Sequence, residues 1–143
     1  MSATVLYTPE ILGLAVELAA LSLDEGLALT GEARSPTCGS QLRLGLACDD
    51  AGRIERVGVA CQACAIGQAS AAVFARGAIG RGQAAIAEAR GAITAWLGGA
   101  GDLPEWPGFA ALAAVKDYPG RHGALVLAWD AALKALSSAA PAR

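Results

Sequence analysis

The spacing of hydrophobic residues changes along the chain between a helical period and a strand period. Thr8-Pro9-Glu10 predicts the start of a helix, with a capping hydroxyl and a proline in the first turn, and apolar side chains then recur with helical spacing from Ile11 to Leu21, which predicts an amphipathic helix. From residue 41 to 48 and from 53 to 60 they alternate with polar positions, which predicts two strands, with a bulge at the imperfect alternation around Val57-Gly58. The turn-like sequence Asp49-Asp50-Ala51-Gly52 joins these strands into an antiparallel hairpin.

The remaining periodic segments add a further strand and more helices. Residues 27–33 fit a short first strand. Helical spacing recurs downstream over residues 68–76, from 82 or 83 to 97, over 109–115 and over 121–136, with a frayed tail from about residue 137. The elements predict an α+β architecture, with a small antiparallel sheet of about three strands and helices packed on one side. We interpret residues 1–143 as a single domain.

Composition and charge narrow the classes of function. The chain has 143 residues and a formal net charge of −2, so it offers no broad basic field for nucleic acid. Although 55% of the residues are hydrophobic, many are alanine, and no apolar run approaches the roughly 20 residues that span a bilayer. The first ten residues lack the features of a signal peptide. We therefore expect a cytoplasmic protein with reduced thiols and no nucleic-acid or membrane partner.

Candidate chemistry is concentrated around Cys61 and Cys64, where the strand pattern changes to a helix pattern. Thiolates are soft, charged ligands, and a helix N-terminus stabilises negative charge. A CxxC pair alone does not distinguish a metal site from a redox pair. A second thiol turn contains Cys38, and Arg121-His122 precedes the last predicted helix. These three places together suggest one metal or cluster site.

Several motifs occur in a fixed order along the chain. Ser35-Pro36-Thr37-Cys38-Gly39 resembles a ligand turn N-P-x-C-G-D, and Cys64 to Ser70 resembles G-C-x-x-x-x-A-S. Between them, the strand pair through Arg53-Ile54-Glu55 resembles a hairpin found in proteins that carry both turns. The segment from Tyr118 to Trp129 resembles P-x-R-x-x-C-x-x-L-x-W. The chain thus resembles, from about residue 6 to 136, the NifU/IscU-type iron–sulfur cluster assembly scaffolds, closest to their SufU-like branch, with a SufE/NifU-like fold.

The resemblance implies a scaffold or carrier rather than an enzyme. Such a protein accepts iron and persulfide sulfur and holds iron or a [2Fe–2S]-type cluster, here through Cys38 and Cys64. Its partners are a cysteine desulfurase and recipient apoproteins. Two positions depart from the family pattern, because Ser40 stands where the family has an aspartate and Ala124 where it has a third cysteine.

A tetrahedral iron or zinc site needs about four donors, mostly thiolates. Cys61 is the expected third donor, because a spacing of three residues lets two sulfurs reach one ion. His122 is the expected fourth, since its imidazole lies two residues before Ala124. The predicted metal ligands are Cys38, Cys61, Cys64 and His122.

Other interpretations remain open on sequence alone. The SufU-like branch suggests a zinc-dependent sulfur acceptor for the desulfurase, and the two departures suggest a degenerate paralogue that keeps the fold as an interaction module. A dithiol oxidoreductase is disfavoured, because the CxxC pair lacks the thioredoxin-like parallel-strand context. Cys48 alternates with leucines and is assigned to the core, as are Trp96, Trp106 and Trp129.

Overall fold

A computed structural model of the protein describes residues 8–24, 26–35 and 39–138. The three strands are β1 (Leu29–Arg34), β2 (Gln41–Cys48) and β3 (Ile54–Gln62). The α-helices are α1 (Pro9–Glu17), α2 (Ala65–Ala78), α3 (Gln83–Leu97), α4 (His122–Leu125) and α5 (Leu127–Ser138). Three 3₁₀-helices connect them at Leu18–Ala20, Phe109–Asp117 and Pro119–Arg121. The architecture is the predicted α+β one, with a three-stranded antiparallel sheet.

Helix α1 begins as the sequence predicts. The Thr8 hydroxyl accepts a hydrogen bond from the Ile11 amide at 3.1 Å, and Pro9 occupies the first turn, where its missing N–H leaves no bond unmade. Ile11 and Leu14 are buried on the inward face, while Val16 is exposed on the other side of the helix. The predicted cap is therefore confirmed.

The predicted hairpin is confirmed, and β2 has the predicted bounds. The bulge, however, is not at Val57-Gly58, because Gly58 pairs regularly with Gly45. The register shifts instead where Ala47 and Cys48 face β3, which leaves Glu55 as the additional residue. Glycine is needed at position 58 for a different reason, because a Cβ there would lie 2.7 Å from the carbonyl oxygen of Ser22. The break in alternation marks a close approach of two chain segments.

The core face of the sheet carries the alternating apolar residues Leu42, Leu44 and Leu46, all buried. Cys48, predicted to share this face in the core, is only half-buried because the register shift ends the alternation. Helix α5 lies directly on β1. A Cβ on Gly31 would come closer to the Ala131 carbonyl oxygen than any normal contact allows and would lie 2.8 Å from the Ala135 nitrogen. Small residues set this helix–sheet distance.

The outer face of the sheet is crossed by residues 21–24 and 26–27. A Cβ on Gly45 would lie 2.9 Å from side-chain atoms of both Leu23 and Leu27. The segment therefore packs directly on the Gly45–Gly58 pair, which has no side chains in the way. The segment also reaches the outward edge of β3, where the Val59 amide donates to the Leu21 carbonyl at 2.6 Å. Further along that edge, Ile54 exchanges backbone hydrogen bonds with the segment after α2, at 2.9 and 2.7 Å.

Aromatic rings fill the centre of the helical layer, as predicted for the three tryptophans. Trp129 is fully buried, with ring centroids of Phe74 and Trp106 both at 5.3 Å. The Trp106 indole N–H donates to the Val73 carbonyl at 2.8 Å. Trp96 is buried against Phe109 at 5.4 Å. Within the described residues, no helix has the length and hydrophobicity needed to cross a membrane.

The last predicted helix is interrupted. Residues 121–136 do not form one helix, because Val126 ends α4 and a new helix, α5, begins at Leu127. Helix α5 continues through Ser138, so the fraying predicted from residue 137 does not begin there; residues 139–143 lie outside the described part.

Candidate functional site

The junction between β3 and α2 carries two of the candidate ligands. Cys64 is the N-cap residue of α2, with an extended backbone (φ −67°, ψ 171°), and its carbonyl accepts from the Gln68 amide at 3.0 Å. The Gln68 side chain donates to the Ala63 carbonyl at 2.8 Å, so the backbone of the junction is held twice. The half-buried Cys64 sulfur makes no capping hydrogen bond and lies at the positive end of a 14-residue helix.

Cys61 differs from Cys64 in its surroundings. It pairs with Leu42 on the core face of the sheet and is half-buried. Burial raises the pKa of the Cys61 thiol, since the charged form loses solvation. Cys61 therefore becomes a thiolate readily only when a cation is present to stabilise the charge. The three cysteines within the described residues, which include Cys48, are free thiols.

The turn between β1 and β2 brings the second candidate segment to the same end of the sheet. The Ser35 amide donates to the Ser40 carbonyl at 2.8 Å, and both serines are buried. Gln41 pairs with Gln62, which places the ends of the turn beside the β3–α2 junction. Cys38 itself belongs to residues 36–38, outside the described part of the chain, so its place in the site stays a prediction.

The third segment approaches the junction from the other side. Ala124 is fully buried, and a Cβ on Gly67 would lie 3.6 Å from the Ala124 methyl and 2.8 Å from that of Ala63. Gly67 is in the first turn of α2, three residues after Cys64. The position where the resemblance expects a third cysteine is therefore next to the junction, and a methyl group occupies it here.

His122 is held by the backbone of the 3₁₀-helix Phe109–Asp117. Its Nε2 lies 3.1 Å from the Val115 carbonyl oxygen and 2.9 Å from that of Lys116. Because both partners are acceptors, Nε2 carries the proton and donates, which leaves Nδ1 as the nitrogen able to bind a metal. In residues 8–24, 26–35 and 39–138, no three His, Cys, Asp or Glu side chains form a group that holds a metal. Cys61, Cys64 and His122, all described, therefore do not form such a group by themselves, and the four-ligand set with Cys38 stays a prediction.

The structural role of His122 can be separated from ligation. His122→Ala is expected to lower the free energy of unfolding by about 1 kcal/mol, because a half-buried hydrogen bond to the backbone is lost. His122→Gln retains an N–H donor and should recover part of this loss without supplying an imidazole. Urea unfolding measures the first effect and metal content the second. If the glutamine variant binds metal in the wild-type ratio, His122 is not a ligand.

A polar row at this end of the sheet was not found by sequence reasoning. Arg34 donates to the Gln41 side chain at 2.8 Å, and Gln41 donates to the Gln62 side chain at 3.0 Å. The row crosses all three strands on the outer face. The alternation along the strands could have predicted this row, because its residues fall on the positions that point away from the core face of Leu42 and Cys61.

Comparisons with known proteins agree with this geometry. The family model for the NifU-like N terminal domain matches residues 19–138. The structure of a nitrogen-fixing NifU-like protein (N-terminal) from Brucella abortus is similar, with a TM-score of 0.82 and 30% identity over 96% of both chains. A putative iron–sulfur cluster assembly scaffold protein for the SUF system from Fervidobacterium islandicum AW-1 shares the fold, with a TM-score of 0.81 and 24% identity over 94% of this chain and 98% of that one. No curated protein sequence matches the chain significantly.

Proposed function

Because the chain belongs to the NifU-like N-terminal domain family, we propose that it is an iron–sulfur cluster assembly scaffold, which binds iron and a [2Fe–2S]-type cluster through thiolates and passes the cluster to recipient apoproteins. The observation that carries this proposal is that three segments with predicted ligands lie close together at one end of the sheet. The β1–β2 turn, the β3–α2 junction and the start of α4 all contribute to it.

The residues of this chain fit such a cargo. Cys64 at the N-terminus of α2 and Cys38 in the β1–β2 turn supply the two family thiolates. Cys61 is the third donor. Its raised pKa means that iron must displace a proton to bind there, so its contribution to metal affinity grows as the pH rises toward that pKa. Nδ1 of His122 completes four donors.

The cargo has to leave as well as bind, and the site is consistent with that. Cys61 and Cys64 are half-buried rather than enclosed. Ala124 stands where the family has a third ligand cysteine, and a site with one thiolate fewer holds iron less firmly. Sulfur enters from a cysteine desulfurase, and the protein itself turns over no substrate. We place it in the cytoplasm, where thiols stay reduced.

A second candidate is a zinc-dependent sulfur acceptor for the same desulfurase. Three thiolates and one imidazole form a common zinc donor set. In this case a zinc-bound thiolate of the site receives the persulfide sulfur, and no cluster is assembled.

Anaerobic reconstitution with ferrous iron, a cysteine desulfurase, cysteine and a thiol reductant, which supplies the electrons that turn persulfide sulfur into sulfide, separates the candidates. For a scaffold we expect iron and acid-labile sulfide on the protein, thiolate-to-iron charge-transfer absorption, and transfer of the cluster to an apo-ferredoxin. Zinc without iron or sulfide, with raised desulfurase turnover, would favour the sulfur acceptor. A colourless protein that binds neither metal would contradict both and favour an interaction module.

A further inference from the structure

The outer face of the sheet carries a groove of about 620 Å³, whose lining extends to Cys61 at the end of β3. The strands form its floor, Leu23 from the crossing segment forms an apolar wall, and Arg34, Arg43 and Lys134 line it. From its charge and position, we propose that this groove binds an extended, carboxylate-rich segment of a partner protein. That the partner exchanges sulfur or cluster with this chain rests on the proposed function, whereas the preference of the groove for carboxylates does not.

The charge of the groove is opposite to that of the chain. Three cationic side chains and one carboxylate, Glu32, line it, which gives a formal charge of +2 in a chain whose net charge is −2. The ion pair between Arg43 and Glu32 is formed by side chains that are 59% and 63% exposed. Such surface pairs contribute little free energy, so a partner carboxylate can compete for Arg43. An acidic segment is therefore attracted to this face.

The cations are held in place but keep donors to spare. Arg34 is fixed by one hydrogen bond to Gln41 at 2.8 Å, and a guanidinium has five N–H groups. Lys134 donates to the Glu32 carbonyl oxygen at 2.9 Å, which uses one of the three hydrogens of its ammonium group. Side chains that are already ordered lose less entropy when a ligand binds.

The location of the groove favours a protein segment over a small anion. Its volume lies within the range of about 300–1,000 Å³ typical of ligand sites, well above the size of one carboxylate. The row of Arg34, Gln41 and Gln62 forms one end of the groove and also borders the β1–β2 turn and the β3–α2 junction. A segment seated in the groove would hold its parent protein beside the thiols.

Fluorescence anisotropy with a labelled hexaglutamate peptide tests the proposal on the full chain as purified. We expect saturable binding that weakens with added salt, and no binding of a hexaglutamine peptide. Arg34→Glu and Arg43→Glu should each weaken the interaction by about tenfold, the effect of losing one good charge contact. Arg53→Glu is the matched control, since Arg53 is an exposed residue at the far, β2–β3 turn end of the sheet, and it should change binding less than twofold.

The outcomes are distinct. Equal loss in the Arg53→Glu variant, or equal binding of hexaglutamine, would overturn the proposal. Displacement of the peptide by citrate at the same carboxylate concentration would also overturn it, because the groove would then recognise small polyanions. Arg34→Gln, a milder change, replaces Arg34→Glu if the reversal disturbs folding, and thermal unfolding checks this. Peptide binding needs no cluster, so a failed reconstitution leaves the result unaffected.

Discussion

Substitution of Gly31 by alanine is expected to lower the free energy of unfolding by about 3 kcal/mol or more, at the upper end of overpacking effects. The new methyl group would collide with the backbone of α5, at the Ala131 carbonyl and 2.8 Å from the Ala135 nitrogen. Neither obstacle is the flexible end of a side chain. Helix α5 would have to lift from β1, and the contacts of buried Leu136 would be weakened with it.

Gly91→Ala supplies the matched control. Gly91 lies inside α3, and no atom comes within 4 Å of a Cβ built there. The same change should therefore stabilise the protein by about 0.5–1 kcal/mol, because alanine loses less entropy than glycine in a helix. Urea unfolding followed by far-UV circular dichroism measures both variants. Similar effects at Gly31 and Gly91 would show that α5 does not lie on β1 as described.

Cys64→Ser is expected to remove the cluster while leaving the fold intact. Loss of an outer-shell partner already costs a metal site about 10–100-fold in affinity, so loss of a ligand should lower bound iron and acid-labile sulfide by at least about tenfold. The fold should hold because the Cys64 sulfur makes no capping hydrogen bond, and serine is among the best N-cap residues. Cys38→Ser is predicted to have the same effect on loading.

Cys48→Ser is the control for a general loss of thiol. Cys48 is half-buried at the end of β2, next to the turn that connects it to β3, and has no part in the proposed site. It should load iron and sulfide like the wild type. Thermal unfolding of each variant shows whether a loss of loading is a loss of fold. A Cys64→Ser protein that is folded and loads normally would be incompatible with ligation at the β3–α2 junction.

Much of the fold follows from local pattern. The cap at Thr8, the bounds of β2 and the hairpin turn each depend on residues close in sequence, and each was predicted. The bulge was predicted at the wrong position because the glycine at 58 is required by a segment distant in sequence that packs on it, and not by an irregular strand. The break at Val126 was missed for a similar reason, since the residues around it fit a continuous helix.

The candidate site divides in the same way. Cys61 and Cys64 were identified because their spacing and the change from strand to helix are visible in the sequence. The close approach of Ala124 to Gly67 was not predicted, because it depends on how α4 packs on α2. Nor does the sequence reveal that Nε2 of His122 is occupied by two carbonyls, because those acceptors lie at the end of the 3₁₀-helix Phe109–Asp117, on which the chain folds back at Pro119–Arg121.

The segments that lie along the outer edge of β3 affect how the molecule behaves in a crowded solution. The hydrogen bonds from Val59 to Leu21 and those of Ile54 with the residues after α2 occupy polar backbone groups along the outer margin of β3. An unoccupied margin of this kind recruits strands from other molecules and seeds fibrils. Here Leu21 and the residues after α2 already occupy this margin at Val59 and Ile54, so neighbouring copies cannot pair with β3 at these positions.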